Sequence, residues 1–253
     1  MIKTNILTET DVRRIVAERG IFSIVEYDRD VSVEINDAMS MYFASKMNIK
    51  NKQLIASVDE LGVITQAGVM QMCMGNIRIK TDISDASDLI KKFVGSKVTG
   101  ETAVKPIYTG NGLVVLEPTK KHILLIDVSE WNKGIIIEDE SFLACEESVK
   151  LSIVSRNTIS SALLGGEGLF NTILEGNGIV AMESNVPLEE VVVVELYDDI
   201  LKIDGDMAIA WSNSLQFSVE KSTSTLFGSA VSGEGLVNVY RGTGKVMVAT
   251  VNK

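Results

Sequence analysis

Cysteine, histidine and proline are scarce in this sequence of 253 residues, which has two, one and three of them respectively. Two cysteines are too few for a disulfide framework. A Ser-His-Asp or Cys-His mechanism would depend on His122 alone. With so few prolines, little interrupts a β-sheet. These absences exclude a disulfide-stapled chain and leave room for extensive β structure.

The sequence also lacks segments that would direct it into a membrane or onto a polyanion. No apolar run approaches the roughly 20 residues that span a bilayer, and the first residues lack the apolar core of a signal peptide. The chain has 24 basic and 34 acidic residues, a formal net charge of -10, so nucleic acid is repelled overall. The nearest basic stretch, SKMNIKNKQ from Ser45, is short. We expect a cytoplasmic protein that does not bind nucleic acid.

A glycine pattern recurs three times along the chain. Each copy runs Gly-Glu, an alternating stretch, Gly-x-Gly and a second apolar stretch, with the pairs 66 or 67 residues apart. The first copy has threonine in place of the second glycine of Gly-Glu-Gly. The repeated positions are Gly100, Glu101, Gly110, Gly112, Gly166, Glu167, Gly168, Gly176, Gly178, Gly233, Glu234, Gly235, Gly242 and Gly244. Such self-similarity predicts three internal repeats, over about 53–118, 119–184 and 185–251.

The copies share the residue alternation of β-strands. SVKLSIV, SLQFSVE and NIRIKTD alternate polar and apolar residues, which is the period of a strand with one covered face. VVVVEL and HILLIDV are more continuously apolar, as in strands covered on both faces. Turn signals such as Asp204-Gly205 lie between such stretches. We therefore expect a mainly β fold in which three repeats form a pseudo-three-fold β-helix or barrel-like core.

Two helices are expected outside this pattern. TETDVRRIVAERG at 8–20 predicts a short N-terminal helix, with strands after it at IFSIVEYD and DVSVEIN. DISDASDLIKKFVG at 82–95 predicts a short helix inserted into the first repeat. The N-terminal segment 1–52 is expected to pack on the three-repeat domain 53–253 and to cover its open end.

Four stretches of the chain carry a resemblance to a known family. They are GGEGLF from Gly165, SGEGLVNVYRGTGKVMVAT from Ser232, AWS from Ala210 and AGVMQMCMGNIRIKT from Ala67. Over about 54–251 the chain resembles bacterial members of the altered-inheritance-of-mitochondria protein twenty-four family. The resemblance implies a double-stranded β-helix core related in shape to the trp RNA-binding attenuation protein. It implies peripheral membrane association through the mitochondrial relatives, and it supplies no catalytic residues.

The glycine motifs do not match nucleotide-binding sites. Gly166-Glu167-Gly168 continues into LFNTILEG, a β-patterned context, whereas a dinucleotide site needs a turn from strand into helix. RGTGKV contains Gly244-Lys245 but lacks the first glycine and the Ser/Thr of a P-loop. Tight turns and close backbone approaches explain these glycines. We expect no cofactor.

The repeated glutamates Glu101, Glu167 and Glu234 allow two interpretations. If they converge near a pseudo-axis, they bind a cation or a basic partner, and mutual repulsion raises the pKa of at least one. Alternatively, each glutamate accepts hydrogen bonds from backbone N–H groups at its own turn and holds that sharp turn in place. The second interpretation is favoured, and the sequence leaves both open.

Cys73, Cys145 and Trp211 also occupy equivalent positions, at offsets of 72 and 66 residues. They are interpreted as one core position per repeat, since two cysteines without a nearby histidine make a poor metal set. Strand alternation puts the three methionines of MQMCM, from Met70, on one face and Gln71 with Cys73 on the other. Core filling is the expected role of these methionines.

The remaining polar candidates are interpreted as structural. His122 begins a strand-like stretch, and its equivalent in the next repeat is Leu188. The acidic tips EDE from Glu138 and DGD from Asp204 lack the alternating oxygen ligands of a calcium loop. No metal site is therefore expected at these positions.

Two functions remain for such a chain. The first is a non-enzymatic assembly, scaffold or protein-interaction module, which we expect to be a homo-oligomer or to bind a protein partner. The second is a small-ligand-binding module with a pocket between repeats. The absence of a complete catalytic constellation favours a protein that is not an enzyme.

Overall fold

The computed structural model describes residues 3–29, 32–80, 105–155, 170–221 and 236–251. Within these ranges the fold is mainly β, as expected from the sequence, with one α-helix. The expected helix at 82–95 and the glutamates Glu101, Glu167 and Glu234 lie outside the described residues. The same is true of Gly100, Gly166, Gly168, Gly233 and Gly235.

The helix and strands follow one another in a fixed order. The helix is α1 (Ala38–Lys46). The strands are β1 (Arg13–Arg19), β2 (Phe22–Tyr27), β3 (Lys52–Val58), β4 (Val63–Thr65), β5 (Met70–Lys80), β6 (Ile107–Leu116), β7 (His122–Asp127), β8 (Ile135–Glu138), β9 (Phe142–Glu146), β10 (Val149–Ser155), β11 (Phe170–Gly176), β12 (Ile179–Ser184), β13 (Val191–Asp204), β14 (Ala208–Ser212), β15 (Gln216–Lys221) and β16 (Leu236–Ala249).

The described strands form two sheets. The first has nine strands in the order β1-β2-β3-β6-β4-β9-β12-β7, with β5 beside β6. The second has seven in the order β10-β11-β8-β14-β16-β13, with β15 beside β16. The chain accordingly divides into two compact units, one built around each sheet.

The N-terminal helix predicted at 8–20 is wrong, because this segment forms strand β1. β1 pairs antiparallel with β2, placing Arg14 opposite Glu26, and the connection turns at Gly20 with φ +57°. The turn gives Arg14 a cross-strand carboxylate partner at 3.0 Å, which a lone exposed helix would not provide. Strand β2 is confirmed at IFSIVEYD, whereas the described part of DVSVEIN, residues 32–36, is not a strand.

Charged side chains on β1, β2 and the chain entering β3 form an ion network. Lys50 Nζ lies 3.0 Å from Glu26 Oε1 and 2.7 Å from Asp28 Oδ1, while Arg14 also contacts both carboxylates. Burial raises the pKa of Glu26, but hydrogen bonds from Lys50 and Arg14 outweigh it and hold that pKa below its ordinary value. The hydrogen bond from Lys50 likewise lowers the pKa of Asp28. The network ties this sheet edge together while keeping its carboxylates charged.

The first sheet is buried on both faces where β2, β3 and β6 meet. Ile24 and Leu54 belong to one apolar cluster, whereas Val25, Ile55 and Val115 belong to another. Because successive residues of a strand point to opposite faces, both faces are covered here. The apolar runs of β2 and β3 thus reflect burial from two sides.

The second sheet has an aromatic cluster in its core. Trp211 lies 5.5 Å from Tyr240 and 5.7 Å from Phe217, measured between ring centroids. The pair Phe217–Tyr240 is 5.3 Å apart. Aromatic pairs at such centroid distances stabilise the fold by more than the burial of their apolar surface alone. Leu215 and Val246 belong to the same cluster, which anchors β14, β15 and β16 to one another.

A bidentate ion pair on β15 and β16 predicts an acid-sensitive contribution to stability. Arg241 Nη1 and Nη2 lie 2.5 and 2.8 Å from the two oxygens of Glu220. Hydrogen bonds from Arg241, and then from Ser218, lower the pKa of Glu220 to about 2. Since an unfolded glutamate titrates near 4.3, the contribution is present above that value and is lost as the pH falls toward 2.

Glu220→Gln should therefore lower the free energy of unfolding at pH 6 and leave it unchanged near pH 2. Urea unfolding of both proteins across that range measures the difference. Glu189→Gln, at an exposed glutamate, is the control. Parallel pH profiles for the wild type and Glu220→Gln would contradict this role for the pair.

Candidate functional site

The Gly-x-Gly motif of the first copy lies where β5 and β6 approach most closely. Gly75 is opposite Gly112, and Gly110 is opposite Ile77. Gly110 has φ +125°, and a methyl group there would overlap the backbone oxygen of Asn76. A methyl group at Gly112 would likewise overlap the backbone oxygen of Met74. The glycines therefore permit a close approach of the two backbones.

The second copy of the motif lies at a strand corner and the third within a strand, opposite a bulge. Strand β11 ends at Gly176 with φ +99°, and β12 begins just after Gly178 with φ +146°. In β16, Gly242 has φ +117° and faces a bulge of β13. A Cβ at Gly244 would lie 2.7 Å from the Cβ of Ser212. Each motif marks a bend or a crowded crossing of strands.

A buried carboxylate links distant parts of the first sheet. Glu146, at the end of β9, accepts hydrogen bonds from the backbone N–H of Ile21 at 3.0 Å and of Ile179 at 2.9 Å. Its side chain also fills the space beside Gly20, where any Cβ would overlap it. The residue therefore fixes the β1–β2 turn and the start of β12 to β9. Sequence reasoning missed Glu146, because its partners are 125 and 33 residues away.

The second sheet has a shorter version of this link. Ser212 ends β14, and its Oγ accepts a hydrogen bond from the backbone N–H of Lys245 at 2.9 Å. Ser212 and Lys245 each lie 66 residues after Glu146 and Ile179. In both sheets a polar side chain at the end of a strand accepts a hydrogen bond from the backbone N–H of the residue that follows a Gly-x-Gly motif.

The two cysteines and Trp211 differ in burial. Cys145 and Trp211 are buried, whereas Cys73 is half-buried and packs against the first apolar cluster. Burial raises the pKa of both thiols, that of Cys145 far above its ordinary value. Raised pKa values suppress the thiolate form, which is the reactive species. The environments are those of packing residues.

Thiol labelling should separate the cysteines. In folded protein at pH 8, N-ethylmaleimide should modify Cys145 at least about 100-fold more slowly than Cys73, because Cys145 reacts only through opened states. Peptide mass spectrometry measures both rates, and Cys73→Ser should abolish rapid labelling. Equal rates at the two cysteines would contradict the burial of Cys145.

The methionine face expected in MQMCM is wrong, because a β-bulge interrupts the alternation. The register of β5 against β6 shifts between Met70 and Met72. Met70 and Cys73 consequently pack against one apolar cluster and Met74 against the other, while Met72 is exposed. Because a bulge adds one residue to a strand, it moves later side chains to the opposite face.

The other polar candidates form no metal cluster. Among the described residues, no group of three or more His, Cys, Asp or Glu side chains is placed to hold a metal ion. His122 begins β7 and is half-buried. In SKMNIKNKQ, Lys50 and Lys52 contact Glu26, and Lys46 lies over the Tyr42 ring at 5.2 Å. The basic stretch is therefore engaged within its own unit.

The most exposed apolar surface lies on α1 and the turn before it. Its side chains are 57–89% exposed and recur about every four residues, from the turn before α1 to the residue after it. We call this set the α1 stripe; its members are Ile35, Met39, Tyr42, Phe43 and Met47. No residue of α1 is buried. Sequence reasoning missed this helix, although the four-residue spacing was the signal for it.

The end of α1 is sharply defined. Asn48 adopts φ +60°, and its backbone N–H donates to Ser45 O at 3.2 Å. The N–H of Ile49 donates to Ala44 O at 3.0 Å. These bonds form a Schellman motif, a common way to end a helix. The α1 stripe is thus presented on and beside a well-ended helix, with more than half of each of its side chains exposed.

Comparisons with known proteins agree with the fold. A family model described as mitochondrial biogenesis AIM24 matches residues 43–251. An uncharacterized protein of Streptococcus pyogenes serotype M6 is 28% identical over 198 residues, which cover 75% of this chain and 77% of that protein. A crystal structure of a Streptococcus pyogenes protein has a TM-score of 0.58 at 24% identity, covering 81% of this chain and 89% of that one. None of the described helices could span a membrane.

Proposed function

We propose, for a chain that belongs to the mitochondrial biogenesis AIM24 family, that it is a non-enzymatic interaction module working within a protein assembly. The observation that carries the proposal is the α1 stripe. Single exposed apolar residues are ordinary, but contiguous apolar patches mark interaction surfaces. The stripe combines methionine and aromatic side chains, which are enriched at interface cores.

We also infer that the module is built from three repeats around a pseudo-three-fold core. Recurring strand positions support this. Strand β9 matches β14 residue for residue at an offset of 66, and β4 matches the start of β8 at an offset of 72. Strand β6 matches the β11–β12 pair and then β16, again at offsets of 66. The Gly-x-Gly corners and the links of Glu146 and Ser212 keep the same spacing.

The test is the state of the protein in its native cells. An affinity-tagged chain, cross-linked in living cells and analysed by size and mass spectrometry, should appear in species larger than the monomer. An unrelated folded protein that carries the same tag and is expressed at the same level reports non-specific capture. A chain found only as a monomer, with no cross-linked partner, would refute the proposal.

A further inference from the structure

We propose that the α1 stripe is a dimer interface, on which α1 of a second copy of this chain packs antiparallel. The inference rests on the proposed function, because it names the first partner of the interaction module. Most of the stripe precedes residue 43, where the family match begins. The inference is therefore made for this chain and not for the family as a whole.

The spacing of the stripe suits a two-fold axis. Ile35 and Met47 are equidistant in sequence from Met41, and so are Met39 and Phe43. In an antiparallel pair with its axis at the level of Met41, Ile35 meets Met47 of the second copy, and Met39 meets Phe43. A two-fold interface joins the same surface on both subunits and must complement itself in this way.

The charges at the two ends of the stripe favour the same arrangement. Asp37 is the residue just before α1 and Glu34 lies in the loop that leads to it, whereas Lys46 lies in its last turn, and all three are exposed. An antiparallel pair brings Lys46 of one copy near Asp37 of the other, and a parallel pair brings like charges together. The opposed helix dipoles add to the preference.

The exposed area is sufficient for an interface core. Five side chains stay 57–89% exposed, and large aromatic residues present on the order of 150–250 Å² each. The α1 stripe therefore offers several hundred Å² of apolar surface. A standard interface buries about 800 Å² per subunit, so the stripe would supply its apolar core and the flanking polar residues the rest. Ile49, 47% exposed, extends the apolar part.

The charge around α1 argues against a bilayer as the occupant. Helices that lie on membranes carry basic residues on their polar face. Here Glu34 and Asp37 lie at one end of the stripe, and Lys46 and Lys120, whose Nζ contacts Met41, are the basic side chains beside α1. Lys50 and Lys52 are paired with Glu26, and the whole chain has a net charge of -10. Anionic lipid would be repelled, whereas a second copy provides complementary charge.

Analytical ultracentrifugation of the purified full chain tests the interface. The wild type should be dimeric at about 100 μM, where even a micromolar dimer forms. Met39→Glu with Phe43→Glu should raise the dissociation constant at least about 100-fold, as burying four charges forbids pairing. Leu188→Glu, at an exposed apolar residue elsewhere, should leave the dimer intact. Since no residue of α1 is buried, both variants should unfold at the wild-type temperature in dilute solution, where the wild type is also monomeric.

Charge reversal tests the antiparallel orientation. Asp37→Lys and Lys46→Glu should each weaken the dimer, and the double reversal should restore it to within about threefold. A double reversal that stays as weak as the single variants would overturn the antiparallel pairing.

The remaining outcomes separate this inference from the proposed function. A wild type that is monomeric at about 100 μM, or a dimer that survives Met39→Glu with Phe43→Glu, overturns the inference. The proposed function would then still stand if cross-linked species persist in cells. Stripe-dependent binding of the monomer to phosphatidylcholine–phosphatidylserine vesicles also overturns the inference, by assigning the α1 stripe to a membrane.

Discussion

Gly110→Ala should lower the free energy of unfolding by at least about 3 kcal/mol, the range reserved for mutations that strain a special backbone site. Gly110 has φ +125°, which an alanine adopts only with strain. Its new methyl group would also overlap the backbone oxygen of Asn76 on the paired strand. Because that atom belongs to the β5–β6 ladder, it cannot move without breaking the strand pairing.

Gly205→Ala is the matched control for this prediction. Gly205 has φ +70°, so alanine is strained there too, but nothing lies within 4 Å of its added Cβ. We expect Gly205→Ala to lower the free energy of unfolding by about 1 kcal/mol, because only the strain of the left-handed backbone conformation contributes there. Urea unfolding followed by circular dichroism gives both values. Equal costs for the two variants would show that close approach of β5 and β6 does not require Gly110.

Glu146→Ala should cost about 2–4 kcal/mol, because it leaves one buried and one partly buried backbone donor without an acceptor. The N–H groups of Ile21 and Ile179 both donate to this carboxylate. Each unsatisfied donor costs about 1–3 kcal/mol, and the removed side chain leaves a gap beside Gly20. The β1–β2 turn and the start of β12 should loosen together.

Two other variants provide a comparison for the loss of unfolding free energy in Glu146→Ala. Ser212→Ala removes the acceptor of one N–H, that of Lys245, and should cost about 1–2 kcal/mol. Glu147→Ala changes an exposed neighbour and should cost less than about 0.5 kcal/mol. Chemical denaturation measures all three, and hydrogen exchange locates the effect at Ile21 and Ile179. If Glu146→Ala were no worse than Glu147→Ala, the carboxylate would not bridge the sheet.

The sequence predicted those parts of the fold that depend on local patterns. Alternation in NIRIKTD and continuous apolar residues in HILLIDV correspond to β5 and β7. Local patterns failed where a distant partner decides the outcome. Val12, Ile15 and Val16 fit a helix as well as a strand, and the backbone pairing of β1 with β2 selects the strand.

The candidate site was less accessible from the sequence. Glu146 lies beside an ordinary exposed glutamate, and only the fold shows which of the two accepts the distant N–H groups. The bulge at Met70–Met72 has no glycine or proline to mark it. By contrast, the spacing of the α1 stripe was visible in the sequence, but its exposure depends on what the rest of the chain leaves uncovered.

The bridge through Glu146 has a consequence for how the chain is made. The β1–β2 turn is secured only when a residue 125 positions later has been synthesised, and Ile179 completes the site 33 residues after that. At about 5–20 residues per second, the first hairpin waits roughly 6–25 s on the ribosome for Glu146. During that interval the apolar side chains of β2 are open to chaperones and to neighbouring nascent chains. The β1–β2 turn is therefore locked in place long after its own residues have been synthesised.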